Sequence, residues 1–402
     1  MGAANDNILK TLLSFAVVRG MWEGKLGPGG QGLIALCLFL PFILFSGWAG
    51  PLADRYSKRS IAVTMKWIEI PLAVLGGIGF LIGNFWLTAI AMLALATQST
   101  FFGPAKYGMI PEIVAKDSVS QANGLLNMFT NIAVIAGMLI AGMISVQIQD
   151  DGVKGVYDYL PGIALLGVAV LGLLAIMWLP ALPPVEPNTK IPVNGFTAYI
   201  TTIKEMCKSP LIYCAIAWAN FYLLATVVLL VVVELGVLLD VNDQKVSYLL
   251  AAIGVSVGLG SLFSGFMSRN GIRIKLSRVG AVLMSASLFV AGILPVSYAL
   301  MLTSLILMGF FAGMYAVPIQ SLMQLLPKPE SRGRILATAN AISFAFMAVG
   351  SLLYWACRPL FNDSPQYIFI FCGIIGVVCW GMTFRLHQSV NESENKRSNS
   401  LQ

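Results

Sequence analysis

The chain has 402 residues, of which 57% are hydrophobic and only 11% are charged. Soluble globular proteins carry about 25% charged residues, so this composition excludes an ordinary soluble enzyme and a nucleic-acid-binding module. Its high hydrophobicity also excludes a disordered chain. The composition therefore indicates a polytopic membrane protein, in which the net charge of +7 comes from basic residues in short loops between apolar runs.

Twelve apolar runs approach the length of about 20 residues that a helix needs to cross a bilayer. In chain order they are residues 3–20, 30–50, 61–82, 84–104, 121–146, 158–180, 210–235, 244–268, 277–297, 298–320, 334–357 and 366–386. A long, proline-containing polar interval separates the sixth run from the seventh. We therefore predict an all-α polytopic membrane protein. Its predicted parts are a six-helix bundle at 1–180, a cytoplasmic linker at 181–209, a second six-helix bundle at 210–386 and a disordered cytoplasmic tail at 387–402.

Loop charges predict the orientation of these spans. With the termini and the linker on one side, 18 Lys and Arg residues fall on that side and five on the other. Basic loops stay in the cytoplasm, so both termini are predicted to be cytoplasmic. Weak internal repetition supports the six-plus-six division, because Phe101-Phe102 recurs as Phe310-Phe311, 209 residues later.

The chain offers little for a metal ion or a catalytic triad. Its six cysteines form no CxxC pair, and its single histidine, His387, lies in the polar tail. Zinc sites and Ser-His-Asp triads depend on such residues. We therefore expect no enzyme activity, no metal and no cofactor.

Residues 50–59 read GPLADRYSKR and follow the second span directly. They resemble the motif G-x-L-A-D-R-x-G-R-R of the major facilitator superfamily, with Ser57 in place of the usual glycine. In that family the acid and the arginine hold the cytoplasmic side closed, and Asp54 could bind the positive end of a helix dipole. The resemblance implies gating roles for Gly50, Asp54, Arg55, Lys58 and Arg59. The alternative is that the basic residues only anchor the loop at the membrane surface.

Two pairs of charges lie inside predicted spans, where each charge costs about 2.5–3.5 kcal/mol. Asp6 and Lys10 are four residues apart on the first span, and Lys66 and Glu69 are three apart on the third. Each pair either compensates itself on one helix face or lines a polar cavity that binds a charged headgroup. Glu234, near the outer end of the seventh span, is predicted to be interfacial.

Residues 101–108 read FFGPAKYG. The Gly-Pro step is expected to interrupt the fourth span and to free backbone groups. Lys106 follows the break as a compact ammonium group that suits a phosphate. The alternative is that Lys106 is one more cytoplasmic anchor.

Several strings together resemble the bacterial lysophospholipid transporters of the LplT type, and the transporter domains fused to acyltransferases. Residues 2–10, GAANDNILK, are similar to G-A-F-N-D-N-x-x-K of that family. Further similar segments are residues 54–70 (D-R-x-S-K-R…K-x-x-E-I), 103–108 with 122–124 (P-A-K-Y-G…A-N-G), 317–320 (V-P-L-Q) and 330–337 (E-R-G-R-I-L-A). The resemblance reaches about residue 385.

This resemblance implies a major facilitator fold that moves lysophosphatidylethanolamine-like lysophospholipids toward the cytoplasmic leaflet of a bacterial inner membrane for reacylation. Asp6 and Lys106 match positions tied in the family to headgroup binding. An acid and a base also suit an amine-phosphate zwitterion. The candidate substrate-binding residues are Asp6, Asn7, Lys66, Glu69, Lys106 and Tyr107.

Reacylation is expected to need a separate protein. The acyltransferase domain of the fused relatives carries H-x-x-x-x-D, whereas His387 is followed five residues later by Glu392. The expected partners are thus membrane lipids, the lysophospholipid substrate and a separate acyltransferase or acyl-carrier-protein synthetase. Two alternative functions remain open. One is a proton- or sodium-coupled facilitator for a small solute or drug, with Glu69 as the titrating acid, and the other is a non-transporting membrane scaffold.

Overall fold

A computed structural model describes residues 2–20, 26, 29–113, 119–150, 156–183, 191, 194–268, 272–327, 332–361 and 364–399. Within these ranges all regular secondary structure is helical. The prediction of an all-α protein is therefore confirmed. By contacts the chain forms two compact units, the first being Met1–Phe196 with Asn242–Ser247 and the second Thr197–Val241 with Tyr248–Gln402.

The first seven helices lie in the first unit. They are α1 (Gly2–Val18), α2 (Gly30–Arg55), α3 (Lys58–Leu81), α4 (Phe85–Gly108), α5 (Ile110–Ile113), α6 (Val119–Asp150) and α7 (Leu160–Met177). Helices α3 and α4 begin at capping residues, because Ser57 accepts a hydrogen bond from the Ser60 amide and Asn84 accepts one from the Leu87 amide. The core of this unit packs the buried side chains of Leu9 and Leu13 among α2, α3, α4, α6 and α7.

The remaining helices build the second unit, apart from the first residues of α10. They are α8 (Phe196–Met206), α9 (Leu211–Leu238), α10 (Asp243–Met267), α11 (Ile274–Ile293), α12 (Tyr298–Leu325), α13 (Arg332–Cys357) and α14 (Ile368–Asn399). Tyr315 is fully buried in the core of this unit, where its hydroxyl donates to the Ala217 carbonyl at 2.9 Å. A buried hydroxyl needs such a partner to offset its lost hydration.

Each of the twelve predicted spans coincides with one long helix. Eleven helices within the described ranges have at least 18 residues and are apolar enough to cross a membrane. Helix α1, with 17 residues, falls just below that length. Close helix packing without large side chains is visible at Gly77 of α3, where an added Cβ would collide with the backbone of Gly162 of α7.

The structure differs from the sequence predictions at three places. Helix α4 continues through Pro104 to Gly108, so the predicted interruption is wrong. A proline removes one backbone hydrogen bond, and here the helix tolerates that loss. Helix α8 occupies part of the interval predicted as a linker at 181–209, and α14 continues to Asn399 where a disordered tail was predicted. Extending an existing helix is far easier than nucleating a new one, which explains the longer α14.

Candidate substrate-binding site

The acid of the candidate site lies near the start of α1. Asp6 accepts a hydrogen bond from the Ser99 hydroxyl of α4, with 2.8 Å between Oγ and Oδ2. Lys10 follows one turn later on α1 and interacts electrostatically with Asp6. An acid four residues before a lysine is the favourable order for such a pair on a helix. The carboxylate therefore has one neutral hydrogen-bond partner and a lysine on its own helix.

Lys66 and Glu69 form a buried ion pair on α3. Lys66 is 2% exposed and Glu69 is fully buried. Asn5 of α1 donates its side-chain amide to the other carboxylate oxygen of Glu69 at 2.7 Å. The ammonium group also lies 5.0 Å from the centre of the Phe102 ring. These two charges therefore compensate each other, as one of the two sequence interpretations proposed.

Lys106 lies in the last turn of α4, where a cation is favourable beside the helix carbonyls. Its ammonium group donates to the Thr130 hydroxyl of α6 at 2.9 Å and lies 5.0 Å from the centre of the Tyr107 ring. It also interacts electrostatically with Lys66. Glu69 neutralises Lys66, so attraction of an anion such as phosphate depends on the Lys106 ammonium group itself.

The other two predicted substrate-binding residues are not drawn into this network. The Asn7 side chain donates to the Ala3 carbonyl of its own helix at 2.8 Å. Tyr107 contributes its ring to Lys106, but its side chain is largely exposed. Neither residue shares a hydrogen bond with Asp6 or Lys66 among the described contacts.

Sequence reasoning missed four uncharged residues of the network: Asn5, Gln98, Ser99 and Thr130. Gln98 is 4% exposed, and its side-chain nitrogen has no hydrogen-bond partner among the described residues. The side-chain oxygen of Asn5 is likewise buried and unpartnered. Buried polar atoms without partners are unusual, so these two amides mark a place where a ligand or water can bind. The seven-residue spacing of Ser99 and Lys106 on α4 is the signal that could have identified Ser99.

The basic residues of the 50–59 motif act within the first unit. Lys58 is buried and pairs with Glu112 of α5 at 2.5 Å. Arg59 donates to the Leu179 carbonyl at 2.7 Å and to the Met177 carbonyl at 3.2 Å. Met177 is the last residue of α7 and Leu179 lies two residues beyond it, so the Arg59 guanidinium lies at the C-terminus of that helix, where a cation is favourable. Both side chains therefore hold the start of α3 to its neighbours, beyond simple anchoring.

The other residues of the 50–59 motif make few contacts among the described residues. The side chain of Asp54 lies outside the described residues, so its gating role stays a prediction. Arg55 lies 5.6 Å from the centre of the Tyr56 ring. A side chain at Gly50 would meet no atom within 4 Å in this structure. Ser57, which replaces the usual glycine, serves as the N-cap of α3.

A further buried ion pair lies in the second unit. Glu234 of α9 is 7% exposed and accepts a hydrogen bond from Arg358 at 2.5 Å. Tyr354, also buried, interacts with both charges. Arg358 provides the partner that burial of Glu234 requires, and the interfacial position of Glu234 stays a prediction. Among the described residues no group of three or more His, Cys, Asp or Glu could hold a metal ion.

A helical bundle with a buried, charged site between apolar helices is typical of a membrane transporter. The sequence profile of the Major Facilitator Superfamily matches residues 8–351, and the chain therefore belongs to that family. The inward-open xylose transporter XylE from E. coli has a TM-score of 0.66 at 14% identity, covering 96% of this chain and 95% of that chain. A bacterial homologue of the iron transporter ferroportin in an inward-facing state has a TM-score of 0.67 at 14% identity, covering 96% of both chains. At this identity the likeness shows the fold alone.

The relatives by sequence include lysophospholipid transporters as well as transporters of enterobactin and staphyloferrin A. The lysophospholipid transporter LplT of Photorhabdus laumondii is 25% identical over 268 residues, which is 62% of this chain and 60% of that protein. The enterobactin exporter EntS of Citrobacter koseri is 27% identical over 260 residues, which is 61% of this chain and 57% of that protein. Each match thus spans less than two thirds of the relative's length. The staphyloferrin A transporter of Staphylococcus aureus is 27% identical over 150 residues, or 33% of this chain and 36% of that protein.

Proposed function

We propose that this transporter moves a lysophospholipid of the lysophosphatidylethanolamine type across or between the leaflets of a bacterial cytoplasmic membrane. The proposal rests on one difference among the charged residues of the first unit: two of them form an ion pair with each other, and two do not. Lys66 and Glu69 neutralise each other, whereas Asp6 and Lys106 each have a neutral hydroxyl partner and no ion pair within the described residues. Lys10 interacts electrostatically with Asp6 from one turn away on the same helix. The Asp6 carboxylate and the Lys106 ammonium group therefore have no direct ion-pair contact within the described residues and can bind a ligand.

The chemistry of the headgroup fits this arrangement. A phosphoethanolamine group carries one ammonium and one phosphate, so it needs an acid and a base. Asp6 would bind the ammonium, and Lys106 would attract the phosphate. Hydroxyl groups of Ser99 and Thr130 can exchange their present hydrogen bonds for bonds to the ligand at little cost. The similarity to LplT proteins supports the same substrate class.

Transport itself needs no chemical step on the substrate. Rocking of the two six-helix halves would expose the bound lipid to each side in turn, as in transporters built from repeats. The proposal includes cytoplasmic termini, gating by the 50–59 motif and reacylation of the lipid by a separate acyltransferase or acyl-carrier-protein synthetase. Reacylation, a step of phospholipid metabolism, would then consume the transported lipid and so favour net transport.

A proteoliposome assay tests this function. The purified protein in vesicles should move fluorescent lysophosphatidylethanolamine between leaflets, and Lys106→Ala should remove more than half of that movement. Lys204→Ala, at an exposed position of α8, is the matched control and should transport normally. Full transport by Lys106→Ala would refute the role of Lys106. Absence of transport by the wild-type protein would refute the lysophospholipid function.

The siderophore transporters among the relatives favour one second candidate, an ion-coupled facilitator for a small solute or drug. It would require an acid that is free to titrate during the cycle. Glu69 was the expected acid, but it is held by both Lys66 and Asn5. Substrate-induced alkalinisation of everted vesicles, without movement of lysophospholipid, would favour this candidate. A scaffold would show neither signal and has no need of the buried charges.

A further inference from the structure

Helix α4 carries one continuous stripe of side chains that changes character along its length. Phe85, Ala89, Met92, Ser99 and Lys106 are separated by four, three, seven and seven residues. Such spacings follow the 3.6-residue repeat, so these side chains share one face of the helix. The stripe is apolar at the start of α4 and polar at its end. A surface of this kind is complementary to an amphiphile aligned with the helix axis.

The neighbouring helix α1 repeats the same order of polarity. Asp6 and Leu13 are seven residues apart and therefore lie on one face, with the acid at one end and the apolar side chain at the other. Helices α1 and α4 contact each other, and Ser99 of α4 bonds Asp6 of α1. The polar ends of the two stripes thus meet at the candidate headgroup site.

A cavity lies at the apolar end of both stripes. Its volume is about 240 Å³, and its lining includes Leu13 of α1, Ile34 and Cys37 of α2, and Phe85, Ala89 and Met92 of α4. The side chains of Leu13 and Met92 are nearly inaccessible, whereas Trp86 at the cavity is 60% exposed. The cavity is therefore lined by apolar groups and is reached from the outer surface of the helices.

The distance between cavity and headgroup site matches one hydrocarbon chain. Seven residues separate Asp6 from Leu13 on α1, and seven separate Ser99 from Met92 on α4. The lining residues Leu13 and Met92 therefore lie about 10 Å along the helix axes from the Asp6–Ser99 contact. Fourteen residues separate Met92 from Lys106, which is about 21 Å. One leaflet of a bilayer, filled by the length of one acyl chain, is about 15 Å thick. The acyl chain is joined through glycerol to the phosphate, so it starts from the phosphate at Lys106. A palmitoyl chain together with its glycerol linker spans about 21 Å and would thus end in the cavity.

We infer that this cavity between α1, α2 and α4 is the acyl-chain site of the transporter, occupied by the single hydrocarbon chain of the lipid whose headgroup binds at Asp6 and Lys106. The inference rests on the proposed function and extends it from the headgroup to the chain. The cavity admits one chain of limited length, which favours a lysophospholipid over a lipid with two chains. Each methylene group that enters it should change affinity about fourfold.

Filling the cavity tests the inference by chain length. Ala89→Phe places a ring among the lining residues, whereas Ala94→Phe on the same helix makes the same change away from the stripe. Transport of palmitoyl and octanoyl lysophosphatidylethanolamine is compared in proteoliposomes. Ala89→Phe should lower the palmitoyl-to-octanoyl ratio by about tenfold or more, since several methylene groups are displaced. Ala94→Phe should leave the ratio unchanged. An unchanged ratio in Ala89→Phe, with wild-type transport intact, would overturn the inference and leave the proposed function standing.

Photolabelling distinguishes two possibilities for the cavity: that it binds the acyl chain of the substrate, or that it is a groove filled by ordinary bilayer lipid. The probe is lysophosphatidylethanolamine with a diazirine at the end of its palmitoyl chain, and labelled peptides are identified by mass spectrometry. Labelling near Met92 that falls at least fivefold in Lys106→Ala supports one molecule spanning both sites. Labelling that is independent of Lys106, or no labelling there, overturns the inference. Lys106-dependent labelling without lipid movement would refute the transport function while the binding inference stands.

Discussion

The buried pair of Lys66 and Glu69 gives the sharpest test of how the first unit is built. Lys66→Met leaves the Glu69 carboxylate buried with only the Asn5 amide as partner, and Glu69→Gln leaves the ammonium without its counter-charge. Breaking such a pair by removing one partner costs about 3–5 kcal/mol. Each single variant should therefore lower the free energy of unfolding by about that amount.

The double variant Lys66→Met/Glu69→Gln should behave differently. Both charges are then absent, and the glutamine oxygen can still accept the hydrogen bond from Asn5. Replacing a whole buried pair by neutral residues of similar volume is often neutral or stabilising. We expect the double variant to lie within about 1 kcal/mol of the wild type, so the two substitutions should be strongly non-additive.

The measurement is equilibrium unfolding in mixed detergent micelles for the wild type, both single variants and the double variant. Additive losses in the double variant would refute the idea that the two charges exist chiefly to neutralise each other. Lysophospholipid transport gives a second reading. A double variant that folds but loses transport would place Lys66 or Glu69 in direct contact with substrate, whereas retention of at least about half the rate supports a positioning role.

Three further outcomes are expected, each measured as unfolding free energy in micelles. Arg59→Ala should lose about 1.5–3 kcal/mol, because two charge-assisted hydrogen bonds to the end of α7 disappear; stability equal to wild type would refute that contact. Gly77→Ala should cost about 1–3 kcal/mol because its new methyl meets the Gly162 backbone, whereas Gly50→Ala, with no neighbour, should be near neutral; equal effects would contradict the packing. Tyr315→Phe should cost about 0.5–1.5 kcal/mol, because it removes the buried hydrogen bond to the Ala217 carbonyl while that carbonyl keeps its partner within α9, and no change would mean that this hydrogen bond adds nothing to stability.

The helical fold was predictable because lipid imposes a simple requirement. Every backbone polar group must be satisfied inside a span, so an apolar run of sufficient length becomes a helix. The twelve predicted runs accordingly match twelve long helices, with ends that differ by several residues. The extra helix α8 was not predicted, because prolines and charges near 181–209 masked a short helical segment. Amphipathic helices outside the bilayer lack the continuous hydrophobicity that marks a span.

The candidate site was predictable only where it carries charge. Asp6, Lys66 and Lys106 are conspicuous because charges are rare within apolar runs. Whether each charge forms an ion pair was not predictable, since a three-residue spacing on a helix allows a pair but does not require one. Gln98 and Ser99 remained hidden because neutral polar residues are common in spanning helices and gain meaning only from what they face.

The contacts of α3 with α7 have a mechanical consequence. At one end of this antiparallel pair, Arg59 donates to the carbonyls of Met177, the last residue of α7, and of Leu179 just beyond it. At the other end, Gly77 lies against Gly162 with no room for a methyl group. Because α3 and α7 contact each other at both ends, they cannot slide or rotate against each other without losing one of these contacts. Any bending inside the first unit during a transport cycle must therefore occur elsewhere. Helices α2 and α4 are candidate points for such bending, because each contains proline inside the helix, at Pro41 and Pro51 of α2 and at Pro104 of α4.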